Sequence, residues 1–212
     1  MDYSRLGFSK PHDRPVAIDG LQQKLMETTN VRGEFGVIED PENPGWFRRS
    51  LLWRRGSRDL KPIVFPTKGA ASRVPSWSWM AYDGGIDYHR PDFGFYDWED
   101  ITSPWPRTEG QPCDNALVAK VWKYDLESAG QGESEVVFDD THALYSISGT
   151  CVVLGKATGI WEHETRRHWV LIVTPTTISS CEAASAYKRI GSGYIPGRCL
   201  SRKFHKEQAH IH

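Results

Sequence analysis

The chain has 212 residues, 39% hydrophobic and 25% charged, with 9 Trp and a formal net charge of −1. That length builds one large domain or two small ones sharing a core, and the aromatic content argues against disorder. The balanced charge offers no basic field for nucleic acid or anionic lipid, and no apolar run approaches the ~20 residues of a membrane-spanning helix.

The first five residues hold no apolar signal core, so the expected location is cytoplasmic. Cys113, Cys151, Cys181 and Cys199 are far apart without C-x-x-C spacing, which argues against a structural zinc site. In a reducing compartment they are free thiols, and Cys151 beside Val152-Val153-Leu154 reads as core.

In chain order, Asp13-Arg14-Pro15 predicts a helix start, with Asp13 as N-cap and Ile18, Leu21 and Leu25 as one apolar stripe ending near residues 28–30. Residues 33–38 predict a short strand, and residues 46–55 a short helix passing into a strand flanked by Arg48, Arg49, Arg54 and Arg55. Those arginines are either a solvated, carboxylate-paired rim or an anion clamp. A short β-type run at 62–65 and a loop at 67–72 follow; residues 90–99 form an irregular strand or lid, and the proline-rich 103–112 an extended connection.

The second half predicts an all-β unit. Residues 116–125 alternate with Val118, Trp122 and Tyr124 in phase, and 126–135 form a loop. Short strands fit 135–138 and 143–147, and near-continuous apolar runs at 150–154 and 168–173 fit strands buried on both faces. Residues 161–167 read as the charged tip between them. Gly191 and Gly193 interrupt a last strand at 186–195, predicting a bulge or barrel corner, before a frayed polar tail at 201–212.

The most informative run is Arg73-Val74-Pro75-Ser76-Trp77-Ser78-Trp79-Met80-Ala81-Tyr82-Asp83-Gly84-Gly85-Ile86-Asp87-Tyr88. Read as a strand, it puts Trp77 and Trp79 on one face, each burying roughly 150–250 Å². Asp83-Gly84-Gly85 then gives a tight reversal into a returning strand. Such a hairpin is either core or the wall of a pocket.

This run resembles the segment that follows the HET domain in fungal heterokaryon-incompatibility proteins, where P-S-W-S-W recurs. Tyr3-Ser4-Arg5 with Asp13 and Ala17 to Leu21, the Ser50-Leu51-Leu52-Trp53-Arg54 run, Trp169 to Val173, and Tyr187 to Gly193 are similar to further motifs of that region, in the same order. The HET domain's own Y-x-x-L-S-Y-x-W-G-like run is not found in this chain, so no functional residue of that domain carries over. What the resemblance implies is a module of self/non-self recognition, acting as an interaction or regulatory platform.

Other motifs fail on spacing. Gly149 to Gly155-Lys156 has five intervening residues where a phosphate-binding loop has four, and His163-Glu164 with His168 is not H-E-x-x-H. Gly191-Ser192-Gly193 lacks the strand–turn–helix setting of a nucleophile elbow, and His205, His210 and His212 read as solvated tail. One constellation remains for catalysis, Asp83, Asp87 and His89, with Trp77, Trp79, Tyr82, Tyr88, Trp98 and Arg73 as ligand-binding candidates. A carboxylate beside an imidazole near desolvating indoles suits acid–base work. The structural reading has Asp83 capping the turn and Asp87 paired with an arginine.

The expected architecture is α+β, mainly antiparallel β-sheet curled into a barrel or sandwich with the N-terminal helix packed against it. One domain is expected over 1–204, with an α+β front part at about 1–102, a β-rich back part at about 115–200 and a flexible tail at 205–212. Two functions compete: the platform, with a protein partner, and a cofactor-free fungal enzyme of secondary metabolism. The enzyme, a cyclase, isomerase or dehydratase, would hold an apolar small molecule in an indole-lined pocket. Neither requires a metal or a cofactor.

Overall fold

The structure, a computed structural model, describes residues 3–5, 10–66, 74–92, 96–105, 115–141, 147–160, 162–176, 185–201 and 208–212. The helix expected after Asp13 is α1 (Arg14–Thr28), with Pro15 in its first turn. Asp13 closes a 3-10 turn and its side chain makes no capping bond. The expected apolar stripe is corrected: α1 buries Arg14, Pro15, Ile18 and Gln22, while Leu21 and Leu25 are exposed. Polar side chains do the docking. The Arg14 guanidinium donates to the carbonyls of Tyr82, Ser4 (2.6 Å) and Gly84 (3.1 Å).

Instead of one strand, a hairpin of β1 (Arg32–Glu34) and β2 (Val37–Glu39) follows, turning on Phe35 (φ 53°) and Gly36 (φ 74°). Two successive positive φ values match the right-handed twist of a two-residue hairpin loop. Gly36 is required twice over, since a Cβ there would also strike the Trp79 indole. Next come α2 (Gly45–Ser50) and β3 (Trp53–Arg55), the expected helix-then-strand. Their arginines mostly tether backbone: Arg48 donates to Pro44 and Glu99 carbonyls, Arg49 to Pro91 and Asp92, and Arg55 to Phe138, whereas Arg54 pairs with Glu135 at 2.6 Å.

The Trp77/Trp79 strand is also corrected. Ser76 and Trp77 sit in a turn closed by Ser78 N–H on Pro75 O (3.0 Å), and Trp79–Ala81 is a 3-10 helix. The Ser78 hydroxyl accepts from Met80 N–H at 3.0 Å, the local bond through which serine diverts a chain from a strand ladder. The hairpin around Gly84-Gly85 is absent as well: β4 (Lys61–Pro62) pairs with β5 (Tyr82–Asp83), and β3 pairs with β6 (Ile86–Tyr88).

The β-rich half closes on itself. It contains β7 (Tyr96–Trp98), β8 (Leu117–Asp125), β9 (Glu135–Phe138), β10 (Ser148–Ala157), β11 (Arg167–Pro175), β12 (Ser185–Pro196) and β13 (Gln208–Ile211). Pairings run β8–β10–β11–β12–β13 and back to β8, a five-stranded ring that is antiparallel except between β12 and β13. β7 continues the edge of β10 beyond β8, and β9 that of β12 beyond β13. The fold is therefore α+β, with a mainly antiparallel sheet curled into a ring. Gly193 admits β9, because a Cβ on it would overlap the Glu135 carbonyl. No helix among the described residues is long and apolar enough to cross a membrane.

Two further expectations change. On β8 the residues facing the main core are Leu117, Ala119 and Val121; Val118 and Trp122 lie on the other face, with Tyr124 in a second cluster. The tail is not frayed where it is described, since β13 buries Ala209 and Ile211 completely and joins both β12 and β8. Ring-facing residues from β8, β10, β11 and β13 meet Phe47 of α2, Leu51 and Leu52 just after it, and Trp77 in one core. A second cluster covers the outer face through Cys151, Val170, Ile172 and Cys199. Ile18, Trp53, Trp79 and Tyr82 form a third beneath α1.

The extra residue on β12 is Ile190, opposite the Ile172/Val173 step of β11, which realises the expected bulge. It puts Arg189 and Ser192 on the same side although they are three apart, and both donate to Trp53 O (2.5 and 2.6 Å). Arg189 also donates to Leu51 O and pairs with buried Asp139 at 3.2 Å. Arg189→Met should cost about 3–5 kcal/mol in urea denaturation, because it strands a buried carboxylate and two carbonyls. Asp139→Asn, which keeps an acceptor, should cost less. Ile211→Ala should cost about 2–5 kcal/mol, and a negligible change would mean that β13 does not close the ring.

Candidate functional site

Each side-chain polar group of the P-S-W-S-W run is hydrogen-bonded. Trp77 Nε1 donates to Asn115 O at 2.9 Å, and Trp77 O accepts from Trp53 Nε1 at 2.8 Å. The Ser76 hydroxyl accepts from Arg189 N–H at 2.9 Å and donates to His212 O. The Ser78 hydroxyl donates to Phe35 O at 2.6 Å, and Trp79 Nε1 to Gly36 O at 3.3 Å. With Gln22 bonded to Gly36 N–H and Val37 O, four side-chain bonds pin the β1–β2 turn. Trp77 thus enters the ring core and Trp79 the cluster under α1.

The residues singled out from sequence do not converge. Asp83 is exposed in a polar groove of about 520 Å³ shared with Arg5, Arg58, Asp59 and Lys61. Asp87 pairs with Arg5 at 2.7 Å, as its structural reading anticipated for an arginine. Tyr82 packs on Trp53 at 5.5 Å, and Trp98 lies under the Arg49 guanidinium at 5.4 Å. Tyr88 remains 40% exposed, while burial of its phenol end pushes its pKa up to about 12. Arg73 lies outside the described residues. His89 is buried 5.4 Å from the Trp169 ring, where neither His89 Nε2 nor Trp169 Nε1 has a hydrogen-bond partner among the described residues.

A different cluster does converge, at the turn joining β10 to β11. The ladder places Lys156 opposite His168, and the turn folds His163 back until the two imidazoles lie 6.4 Å apart. Together with Arg166, Trp122 and Ser201 they line a cavity of about 270 Å³. Lys156 Nζ is 3.1 Å from Glu99 Oε1. His168 Nδ1 lies 2.8 Å from Arg166 O; a carbonyl only accepts, so Nδ1 carries the proton and Nε2 the lone pair. Burial pulls His168 down to about 4, with the charges of His163, Arg166 and Lys156 adding to it and the Arg166 carbonyl opposing. Sequence spacing alone set these histidines aside as too far apart for one helical face. The missed signal was the pairing of two long apolar strands, which brings their ends together.

Burial, then the Arg54 charge, brings His89 from 6.5 to about 4, against the pull of the Ser192 backbone. The unfolded chain takes up that proton near 6.5, so the contribution is complete above about pH 6.5 and is lost as pH falls towards about 4. It amounts to about 3 kcal/mol for this residue. Urea denaturation across this range should show stability falling with acid, with a shallower fall in His89→Phe. An unchanged slope would assign the acid limb to other groups, His168 first among them.

Comparisons with protein-family models, curated proteins and solved structures give no match for this chain.

Proposed function

We propose that this chain is a module of the kind that follows the HET domain in fungal incompatibility proteins, acting in the cytoplasm as an interaction or regulatory platform in self/non-self recognition. One observation carries this choice. The signature indoles Trp77 and Trp79 are buried at 0% and 7% exposure and bonded to backbone carbonyls, so they hold the body together instead of lining a pocket. The enzyme alternative needs Trp77, Trp79 or Trp98 to border a cavity with Asp87 or His89, and none of the three described cavities has any of these five in its wall.

A platform works through its surface, and the groove between α1 and the β1–β2 hairpin fits that role. Pro15, Val16, Phe35, Val74 and Met80 line it, accompanied by the carboxylates of Asp19 and Glu34. Val16 and Leu21 of the same helix are 68% and 60% exposed. Burial raises Glu34, and the Asp19 charge adds to this, with the Trp105 indole opposing; a nearby cation would relieve both. The fitting partner is a protein segment with one apolar anchor next to a Lys or Arg.

Short peptides with a single Leu or Phe anchor flanked by lysines, and the same anchors flanked by glutamates, distinguish the outcomes in NMR titrations. Lysine-flanked peptides should bind about tenfold tighter and shift the resonances of Val16 and Met80. Asp19→Lys with Glu34→Gln should reverse the preference. Equal binding of both sets, or binding of neither, would overturn the assignment of this groove.

A further inference from the structure

We propose that one water molecule is bound inside the protein between the β3–β6 sheet and the ring, held by Trp169 Nε1, His89 Nε2 and Arg54 Nε. All three are buried polar atoms without a hydrogen-bond partner among the described residues. His89 and Trp169 are only 7% and 4% exposed, so bulk solvent does not serve them. Buried polar groups left unpaired are costly and rare, and three on neighbouring side chains ask for a common partner.

The elements bring these groups together. β3 and β6 pair Arg54 with Asp87, and the ladder continues through His89 N–H on Leu52 O at 2.9 Å. Arg54 and His89 therefore project from the same face of that sheet. This face meets the ring along one row, Glu135 of β9 opposite Tyr194 of β12 and Tyr194 opposite Trp169 of β11. Arg54 is held over the Glu135 end at 2.6 Å, and His89 packs on Trp169 at 5.4 Å. The rings of Tyr194 and Tyr96 close on Trp169 from 5.2 and 6.2 Å.

Donor and acceptor roles identify the ligand. Trp169 Nε1 and Arg54 Nε only donate. Burial and the Arg54 charge lower His89, while the Ser192 backbone raises it, as a carbonyl accepting a ring proton does. Nε2 is the unbonded nitrogen, so the proton sits on Nδ1 and Nε2 accepts. Two donors and one acceptor are the complement of water, and buried waters typically make about three such bonds. An anion would meet the Nε2 lone pair and find no surplus charge. Arg54 and Arg189, the cations that act on His89, already face Glu135 at 2.6 Å and Asp139 at 3.2 Å. A cation would meet two N–H donors. The water thus ties β3 and the end of β6 to β11, and it does not depend on the platform assignment.

Nuclear Overhauser spectra of the labelled protein at pH 7 test this, with the Trp169 indole resonance identified by its loss in Trp169→Phe. That indole proton should show a cross-peak to water with the sign of a long-lived contact, reversed in the rotating frame so that it is not exchange. His89→Leu should abolish the cross-peak, His89→Gln, which keeps an acceptor, should retain it, and Arg54→Met should weaken it. No cross-peak in the unaltered protein would overturn the proposal whether or not the variants fold. So would a cross-peak that persists in His89→Leu, or a scalar coupling from Trp169 Nε1 directly to His89 Nε2, since the two groups would then satisfy each other.

Discussion

The buried guanidinium of Arg189 is the constraint on which this body is assembled. It belongs to the ring strand β12, yet its bonds reach Leu51 and Trp53 of the front part and Asp139 beyond β9. Its Cζ lies 3.0 Å from the Trp53 ring centroid, so the cation is also held against an aromatic face. Burial pulls Arg189 down and pushes Asp139 up, and each partner opposes the shift of the other. Asp139 Oδ2 and Arg189 Nε have no partner among the described residues, so the pair is not a maximally stable arrangement. What it specifies is register: a fork of donors fits only when β12, β3 and residue 139 are correctly placed.

From that anchor the P-S-W-S-W run acts as a joint. Ser76 takes the Arg189 backbone N–H, Trp77 receives the Trp53 indole bond, and Ser78 and Trp79 hold the β1–β2 turn. Through Ser76 and the His212 carbonyl the joint also touches the end of β13, the strand that closes the ring. Front elements, ring and C-terminal strand are therefore tied by one short segment with little freedom to vary. A run so occupied with backbone bonds is poorly placed to touch a ligand.

The candidate sites follow from the same division. Asp83, Asp87 and His89 looked like a constellation because they are close in sequence beside a glycine turn. Asp87 is instead taken by Arg5, and His89 enters the apolar space around Trp169. The cluster around His168 draws on residues from 99 to 201, so it exists only once β7, β8, β10 and β11 are laid side by side.

By itself the sequence determined the local elements whose cause is local. The proline-started helix α1, the buried runs of β10 and β11, the passage from α2 into β3 and the glycine-associated bulge on β12 were all legible from spacing and residue type. Tertiary structure alone decided three other matters. It held Trp77 and Trp79 in a turn and a 3-10 helix, because the hydroxyls of Ser76 and Ser78, the latter also bonded locally to Met80 N–H, found backbone partners far along the chain. It chose Leu117, Ala119 and Val121 as the core face of β8, since an alternating strand with apolar residues in both phases leaves its neighbours to choose. It also recruited Gln208–Ile211 into the ring, where a short polar segment gained order from the two open edges it could bridge.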